Sequence, residues 1–344
     1  MKYALFLFAF SLLLTLIINL IASKFNFLIY KPDMNHKENF KNKIFNTGGC
    51  IFLFYYLSIQ FLQFQINEFY NLLFFILIFS IGLFSDIKNI NANFRLIIIS
   101  LFSIIYVVYT KSFIIDLKFD ILNNLFLNYE IIAILFTSVC IVILINGINF
   151  IDGVHGMVLL YSIIVLSLLN YFIFFILSLN TLPESGLILI PIISVLLIFN
   201  LKEKIFFGDA GSYLIGAILG VLIIKITNTH GYSYPYFYAN LLIYPAFEVF
   251  FSIFRKMFQK KGPYQADKKH LHHLIQNFYL KKNFNLTNSK ILSSIFLNFI
   301  IFFFNLISIN FYQNKYILIT NIFAFVIFYL ISYFFFNKKT KNYY

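Results

Sequence analysis

The sequence predicts an all-α polytopic membrane protein with about eleven transmembrane helices, and three observations predict it. Of the 344 residues, 61% are hydrophobic and only 11% are charged, against about 25% charged in an ordinary soluble domain. Mean hydropathy is +0.85, more apolar surface than a water-soluble chain of this length can hide, so lipid is the solvent that fits. The apolar residues also fall into runs of the length a helix needs to cross a hydrocarbon core, about 20 residues.

These runs lie near 3–22, 47–66, 69–85, 95–110, 129–146, 156–178, 186–200, 211–227, 238–255, 291–310 and 315–336. The first is too long for a signal-peptide core and lacks a small-residue cleavage site, so it reads as a retained span. The fourth and seventh are short, which sets the range at ten to eleven. No 20–50-residue period repeats and no Gly/Ser linker divides the chain, which predicts a single integral-membrane domain over 1–344.

Charge sets the orientation. With the N-terminus outside, the inner segments are 23–46, 86–95, 147–155, 201–210 and 255–290 plus the tail 337–344, and they hold 21 of the 26 Lys and Arg residues. Positive residues favour the cytoplasmic side, which places the C-terminus there. The net charge of +13 then reflects topology and anionic headgroups, and requires no nucleic-acid partner. Cys50 and Cys140 sit in apolar runs without metal-like spacing, which argues against a disulfide framework or a zinc site.

Chemistry-bearing residues gather on the inner side. Asp86, Asp152 and Asp209 each stand at the inner end of a span beside Gly, Asn or Ser, and five of the six histidines (His36, His155, His270, His272, His273) lie there too. Carboxylates that converge from several loops suit a hard cation and phosphates, as Mg²⁺ takes one or two carboxylates and keeps phosphate and water oxygens.

Three segments carry this pattern, each with two readings from the residues alone. Asn146-Gly-Ile-Asn149-Phe-Ile-Asp152-Gly153-Val-His155-Gly156 is a helix-connecting turn, or a helical face of amides and a carboxylate that holds a nucleobase or sugar. Phe207-Gly208-Asp209-Ala210-Gly211-Ser212 is a plain helix cap, or a helix N-terminus whose N–H groups take phosphate while Asp209 holds the bridging metal. Asp267-Lys-Lys-His270-Leu-His272-His273, in the long basic inner loop 255–290, is a solvated charge run near anionic lipid, or a set of histidines beside a pyrophosphate. A zinc site there lacks a Cys or a fourth ligand.

In this order and on this side, the three segments resemble the polyprenyl-phosphate N-acetylhexosamine-1-phosphate transferase family, from the Thr47-Gly48-Gly49 entry of the second span to the histidine loop. The His-x-His-His form resembles the antigen-initiating, undecaprenyl-phosphate GlcNAc-1-phosphate transferase-like branch. The resemblance implies a UDP-N-acetylhexosamine donor, undecaprenyl phosphate as acceptor, UMP as leaving group, and Mg²⁺ as cofactor with Mn²⁺ as a substitute. It implies a bacterial inner-membrane enzyme acting at the cytoplasmic face, among membrane lipids, a homodimer in some branches. The product would be the first membrane intermediate of O-antigen, lipopolysaccharide or another cell-envelope glycan.

By the same resemblance Asp209 and Asp86 match metal-binding and catalytic positions. Asp152 is a further catalytic candidate and, with Asn146 and Asn149, matches the nucleotide-sugar site. His270, His272 and His273 match the loop that closes on the donor, and Arg255-Lys256 the basic pair before it. Gly208, His155 and Lys43 complete the expected substrate contacts. Three departures stand out. Ser85 replaces the first Asp of the family's Asp-Asp pair, His155 stands where Asp is frequent, and the Arg-Lys-x-His region around Lys37–Lys43 is degraded, with Phe40 in the place of the His. Two other classes compete: a transporter, for which Glu248 beside Pro245 is the best intramembrane charge, and a catalytically altered paralogue that binds lipid phosphate or nucleotide sugar without turnover.

Overall fold

The computed structural model describes residues 2–30, 43–63, 69–88, 90–177, 185–229, 234–259 and 269–340. His36, Lys37, Phe40 and Asp267 lie outside the described residues. Among the described residues the regular structure is helical throughout, with isolated bridges joining Phe45 to Ile29 and to Ile205.

In chain order the helices are α1 (Lys2–Phe25), α2 (Gly48–Gln63), α3 (Phe69–Ile87), α4 (Ala92–Thr110), α5 (Asp120–Asn128), α6 (Glu130–Ile151) and α7 (Met157–Tyr171), which runs on as a π-helix over Phe172–Ile176. They continue with α8 (Ser185–Leu201), α9 (Gly208–Thr229), α10 (Pro235–Leu241), α11 (Ile243–Phe258), α12 (Leu271–Lys281), α13 (Leu286–Asn310) and α14 (Lys315–Thr340). Among the described residues every apolar run of the sequence overlaps a helix or a pair of consecutive helices. Among the described residues eight helices are long and apolar enough to cross a membrane, nine if the bent pair α10–α11 counts as one span, while α2 and α8 are shorter apolar helices. This is the build of a multi-pass membrane protein.

The bend between α10 and α11 is 74°, and Pro245 accounts for it. Proline has no N–H to give and its ring clashes with the carbonyl four residues earlier, here that of Leu241, so the helix restarts at Ile243 with Pro245 in its first turn. Two helices were not anticipated. One is α5. The other is α12, which makes the segment 255–290 helical at both ends and in its middle: α11 ends at Phe258, α12 spans Leu271–Lys281 and α13 starts at Leu286. The described residues of that basic loop are therefore mostly helical, and Arg255 belongs to the last turn of α11.

The chain forms two compact units, Met1–Ile90 with Val158–Ile215, and Asn91–Met157 with Gly216–Tyr344. In the first, α1 and α2 pack on α8, and α2 on α3. Tyr55 donates to the Ile188 carbonyl at 2.8 Å, and Thr47 to the Asn19 side chain at 3.0 Å. In the second, α6 packs on α4 and α11, and α12 on α13 and α14. Asn240, Ser308 and Asn321 form a buried polar link in which Asn321 donates to Asn240 and to Ser308, both at 2.9 Å. In lipid such interhelical bonds fix helix register, because an unpaired amide there has no water to turn to.

Candidate functional site

In the first unit, the segment 205–211 that leads into α9 is held from three sides. Phe206 donates its N–H to the Phe45 carbonyl at 2.9 Å, and the N–H groups of Gly48 and Gly49 donate to the carbonyls of Phe206 and Phe207, both at 3.0 Å. A Cβ on Gly82 would fall 2.5 Å from the Asp209 carbonyl oxygen and 2.6 Å from the Ala210 Cα, so only glycine lets α3 approach this closely. The Thr47-Gly48-Gly49 entry thus has a physical purpose: it seats the Asp209 turn.

The end of α3 finishes the job. Both oxygens of Asp86 accept backbone N–H groups, those of Asp209 and Ala210, each at 3.0 Å. Asp86 is therefore an N-cap for α9 supplied from another helix, placed where the positive end of the helix dipole favours a carboxylate. Gly208 takes φ +73°, and a Cβ there would also come within 2.7 Å of Asp86. Ser85 donates its hydroxyl to Asp209 Oδ2 at 2.6 Å. The side chain of Asp209 is thus oriented by Ser85 and its backbone by Asp86. Lys43 is exposed and donates to Asn26 Oδ1 at 3.0 Å.

In the second unit, Asn146 and Asn149 sit on the last two turns of α6, and Asp152 is the residue that caps its end, its N–H donating to the Asn149 carbonyl at 3.2 Å. The Asn146 amide nitrogen donates to Val142 in its own helix. Residues 152–156 are a turn, with Gly156 at φ 78° and His155 buried. Against this turn stands α12. A Cβ on Gly153 would collide with the ring of His272 and would fall 2.6 Å from His273 Cε1 and Nε2, so two motifs about 120 residues apart in sequence meet at a glycine. His270 packs on Phe150 with ring centroids 5.3 Å apart, and His272 lies 4.2 Å from His273. His272 is fully buried, Tyr244 O–H lies 3.4 Å from its Nδ1, and its Nε2 is buried without a hydrogen-bond partner among the described residues.

Arg255 is buried and serves the start of this motif. Its guanidinium donates to the Lys269 carbonyl and, at 3.3 Å, to the Tyr333 hydroxyl, and lies 5.5 Å from the ring centres of both Phe251 and Tyr333. Its visible work is to hold the entry to α12.

Residues 69–227 match the glycosyl transferase family 4. Over this stretch, a little under half of its length, the chain is similar to that family. Curated relatives named undecaprenyl-phosphate alpha-N-acetylglucosaminyl 1-phosphate transferase include one from Thermotoga maritima, 29% identical over 38% of this chain and 39% of that protein. Another, from Escherichia coli K12, is 25% identical over 57% of this chain and 54% of that protein. The match thus spans about half the length of these relatives or less. The family 4 stretch contains Ser85, Asp86, Asn146, Asn149, Asp152, His155, Gly208 and Asp209, whereas the histidine motif lies beyond it.

Among the described residues no group of three or more His, Cys, Asp and Glu side chains could hold a metal ion. The donor set at Asp209 and Asp86 is two carboxylates, a fit to Mg²⁺, which takes one or two protein carboxylates and completes its shell with phosphate and water. Sequence reasoning missed three participants. Ser85 was read only as a lost carboxylate, yet it is bonded to Asp209. Glu248 fits a transporter and the enzyme alike in the sequence, and neither reading anticipates its contact with His270 Nδ1 at 2.8 Å. Lys290, hidden in the basic segment, is buried in α13 and its charge acts on His273.

The histidines predict a pH response. Burial and the neighbouring His273 and His270 hold His272 well below the usual imidazole value of 6.5. Burial and the charge of His270 bring His273 down to about 4, with Lys290 adding to the drop and Gln276 and Glu248 opposing it. Both bind protons more weakly folded than unfolded. Their contribution to stability is therefore complete above pH about 6.5 and declines as pH falls toward about 4. Thermal unfolding in detergent should show this decline, and His273→Gln should flatten it; an unchanged slope in the variant would remove His273 from the account.

Proposed function

We propose that this protein transfers N-acetylhexosamine-1-phosphate from a UDP-sugar to undecaprenyl phosphate, releasing UMP and forming polyprenyl-diphosphate-sugar. The observation that carries the reading is the Asp209 turn: a carboxylate at a helix N-terminus, fixed by Ser85 and Asp86, within the stretch that matches family 4. The names of the relatives supply the acceptor lipid and the sugar phosphate as classes.

The acceptor phosphate would attack the phosphorus attached to the sugar, and UMP would leave. One pyrophosphate bond replaces another, so the reaction needs no energy source beyond its donor. Two anions must meet, and positioning with charge stabilisation dominates such transfers. Asp209, with Asp86 beside it, would hold Mg²⁺ or Mn²⁺, and the ion would neutralise charge on the diphosphate. In the second unit, Asn149 and Asp152 would contact the nucleotide sugar, and the histidines with Lys290 would offset anionic charge. The acceptor phosphate, ionised at neutral pH, needs no carboxylate base, which makes Ser85 compatible with turnover.

The same reading takes all eleven apolar runs as spans, with the N-terminus outside and the site on the cytoplasmic face of a bacterial inner membrane. It includes a homodimer, and a place at the first membrane step of O-antigen or another cell-envelope glycan. The asymmetric charge supports the orientation. Purified protein in detergent, mixed with undecaprenyl phosphate, Mg²⁺ and a panel of UDP-N-acetylhexosamines, should release UMP with at least one donor. Binding of UDP-sugars without release from any of them would favour the altered-paralogue reading.

Ser85 gives a finer test. A hydrogen bond to a charged group contributes about 1.5–3 kcal/mol, so Ser85→Ala should weaken apparent Mg²⁺ affinity roughly ten-fold or more. Turnover at saturating metal should change much less. An identical Mg²⁺ titration curve would show that the hydroxyl does not position Asp209.

A further inference from the structure

Glu248 is a fully buried carboxylate in the second turn of α11, and both of its oxygens are committed to the histidine motif. Oε2 lies 2.8 Å from His270 Nδ1, and Oε1 accepts the Leu271 N–H at 3.1 Å. His270 is the N-cap residue of α12 but makes no side-chain cap bond of its own. Glu248 supplies that cap from a neighbouring helix. A carboxylate that accepts from one imidazole nitrogen fixes the tautomer and the ring plane, and so decides which nitrogen faces the other way.

We infer that Glu248 is the positioning residue of the histidine motif: it locks His270 with Nδ1 donating to the carboxylate and Nε2 presented to the anionic donor, while pinning the first turn of α12. This rests on the proposed transfer reaction and deepens it, since neither the family match nor the names of the relatives assign Glu248 a role. The break at Leu242 serves the same end. By restarting the helix at Ile243, the bend sets Glu248 below the start of α12 and brings Tyr244 to 3.4 Å from His272 Nδ1. The intramembrane charge and broken helix that a transporter would use are thus spent on orienting a histidine.

Glu248→Gln keeps the volume but has one acceptor oxygen, so it cannot serve both His270 and Leu271. We expect kcat to fall about 10–100-fold, the range for loss of a carboxylate that orients an imidazole. In a His270→Ala background the same substitution should cause no further loss, because both act through one ring. Losses that multiply in the double variant, or full turnover in Glu248→Gln, would overturn the inference. Ring ¹⁵N shifts of histidine-labelled protein provide a readout independent of turnover. The inference predicts a proton on His270 Nδ1 in the unsubstituted protein and its loss in Glu248→Gln. Unsubstituted protein that is inactive on every donor yet shows these shifts would refute the reaction while leaving the positioning intact; unaltered shifts would refute the positioning.

Discussion

Asp209→Asn is expected to reduce Mg²⁺-dependent transfer by several kcal/mol of transition-state stabilisation, about a hundred-fold or more. The structure makes this substitution clean. An asparagine can still accept the Ser85 hydroxyl through its amide oxygen, and the cap from Asp86 goes to backbone N–H groups that the substitution does not touch. The first turn of α9 should therefore survive, and what disappears is the negative charge that would hold the cation. Thermal stability in detergent should stay close to that of the unsubstituted protein while turnover collapses. Turnover that persists with its Mg²⁺ dependence unchanged would take Asp209 out of the metal site.

Gly153→Val is the second large effect. A Cβ on Gly153 overlaps both His272 and His273, and the overlap is with rings held by packing, His272 being fully buried. Unlike Gly208, Gly153 is not in the left-handed region, so the penalty is purely one of space. Overpacking of this kind costs about 1–3 kcal/mol, and relief requires α12 to move away from the 152–156 turn. We expect turnover to fall about a hundred-fold or more, because a displacement of about 1 Å in a positioned site has effects of that size. Gly153→Ala should sit between the two. Full activity in Gly153→Val would mean that the turn and the histidine motif do not work as a unit.

Much of the helical layout was readable because the period and length of apolar runs are set by lipid, which acts on every residue alike. The ends were harder to place. α13 starts at Leu286, five residues before its apolar run, because the Asn285 side chain accepts the Asn288 N–H at 2.7 Å and the polar first turn is then stable. α12 was hidden for a related reason. Its sequence is dense in histidine and flanked by lysines, and only the burial of Leu271, Leu274 and Ile275 against α13 and α14 makes it a helix.

The candidate site divides the same way. Asp209, Asp152 and the histidines were legible as short motifs. What fixes them in place was not. Asp86 caps α9 across 123 residues and Glu248 caps α12 across 23. In both cases the carboxylate arrives from a separate helix, a pairing no local pattern reveals. Ser85 looked like a defect for the same reason: its partner is 124 residues away. Lys43 and Arg255, expected to meet substrate, are engaged with Asn26 and with the Lys269 carbonyl, roles that a basic residue in a loop does not advertise.

The most direct measurement of the central claim follows the phosphorus itself. UDP-N-acetylhexosamine labelled with ³²P in the phosphate next to the sugar would be incubated with purified protein, Mg²⁺ and undecaprenyl phosphate, then partitioned between water and organic solvent. The account predicts label in the lipid phase in equal amount to UMP released, with neither appearing in Asp209→Asn. Label that remains with the nucleotide while sugar enters the lipid phase, or label released as free phosphate, would contradict it.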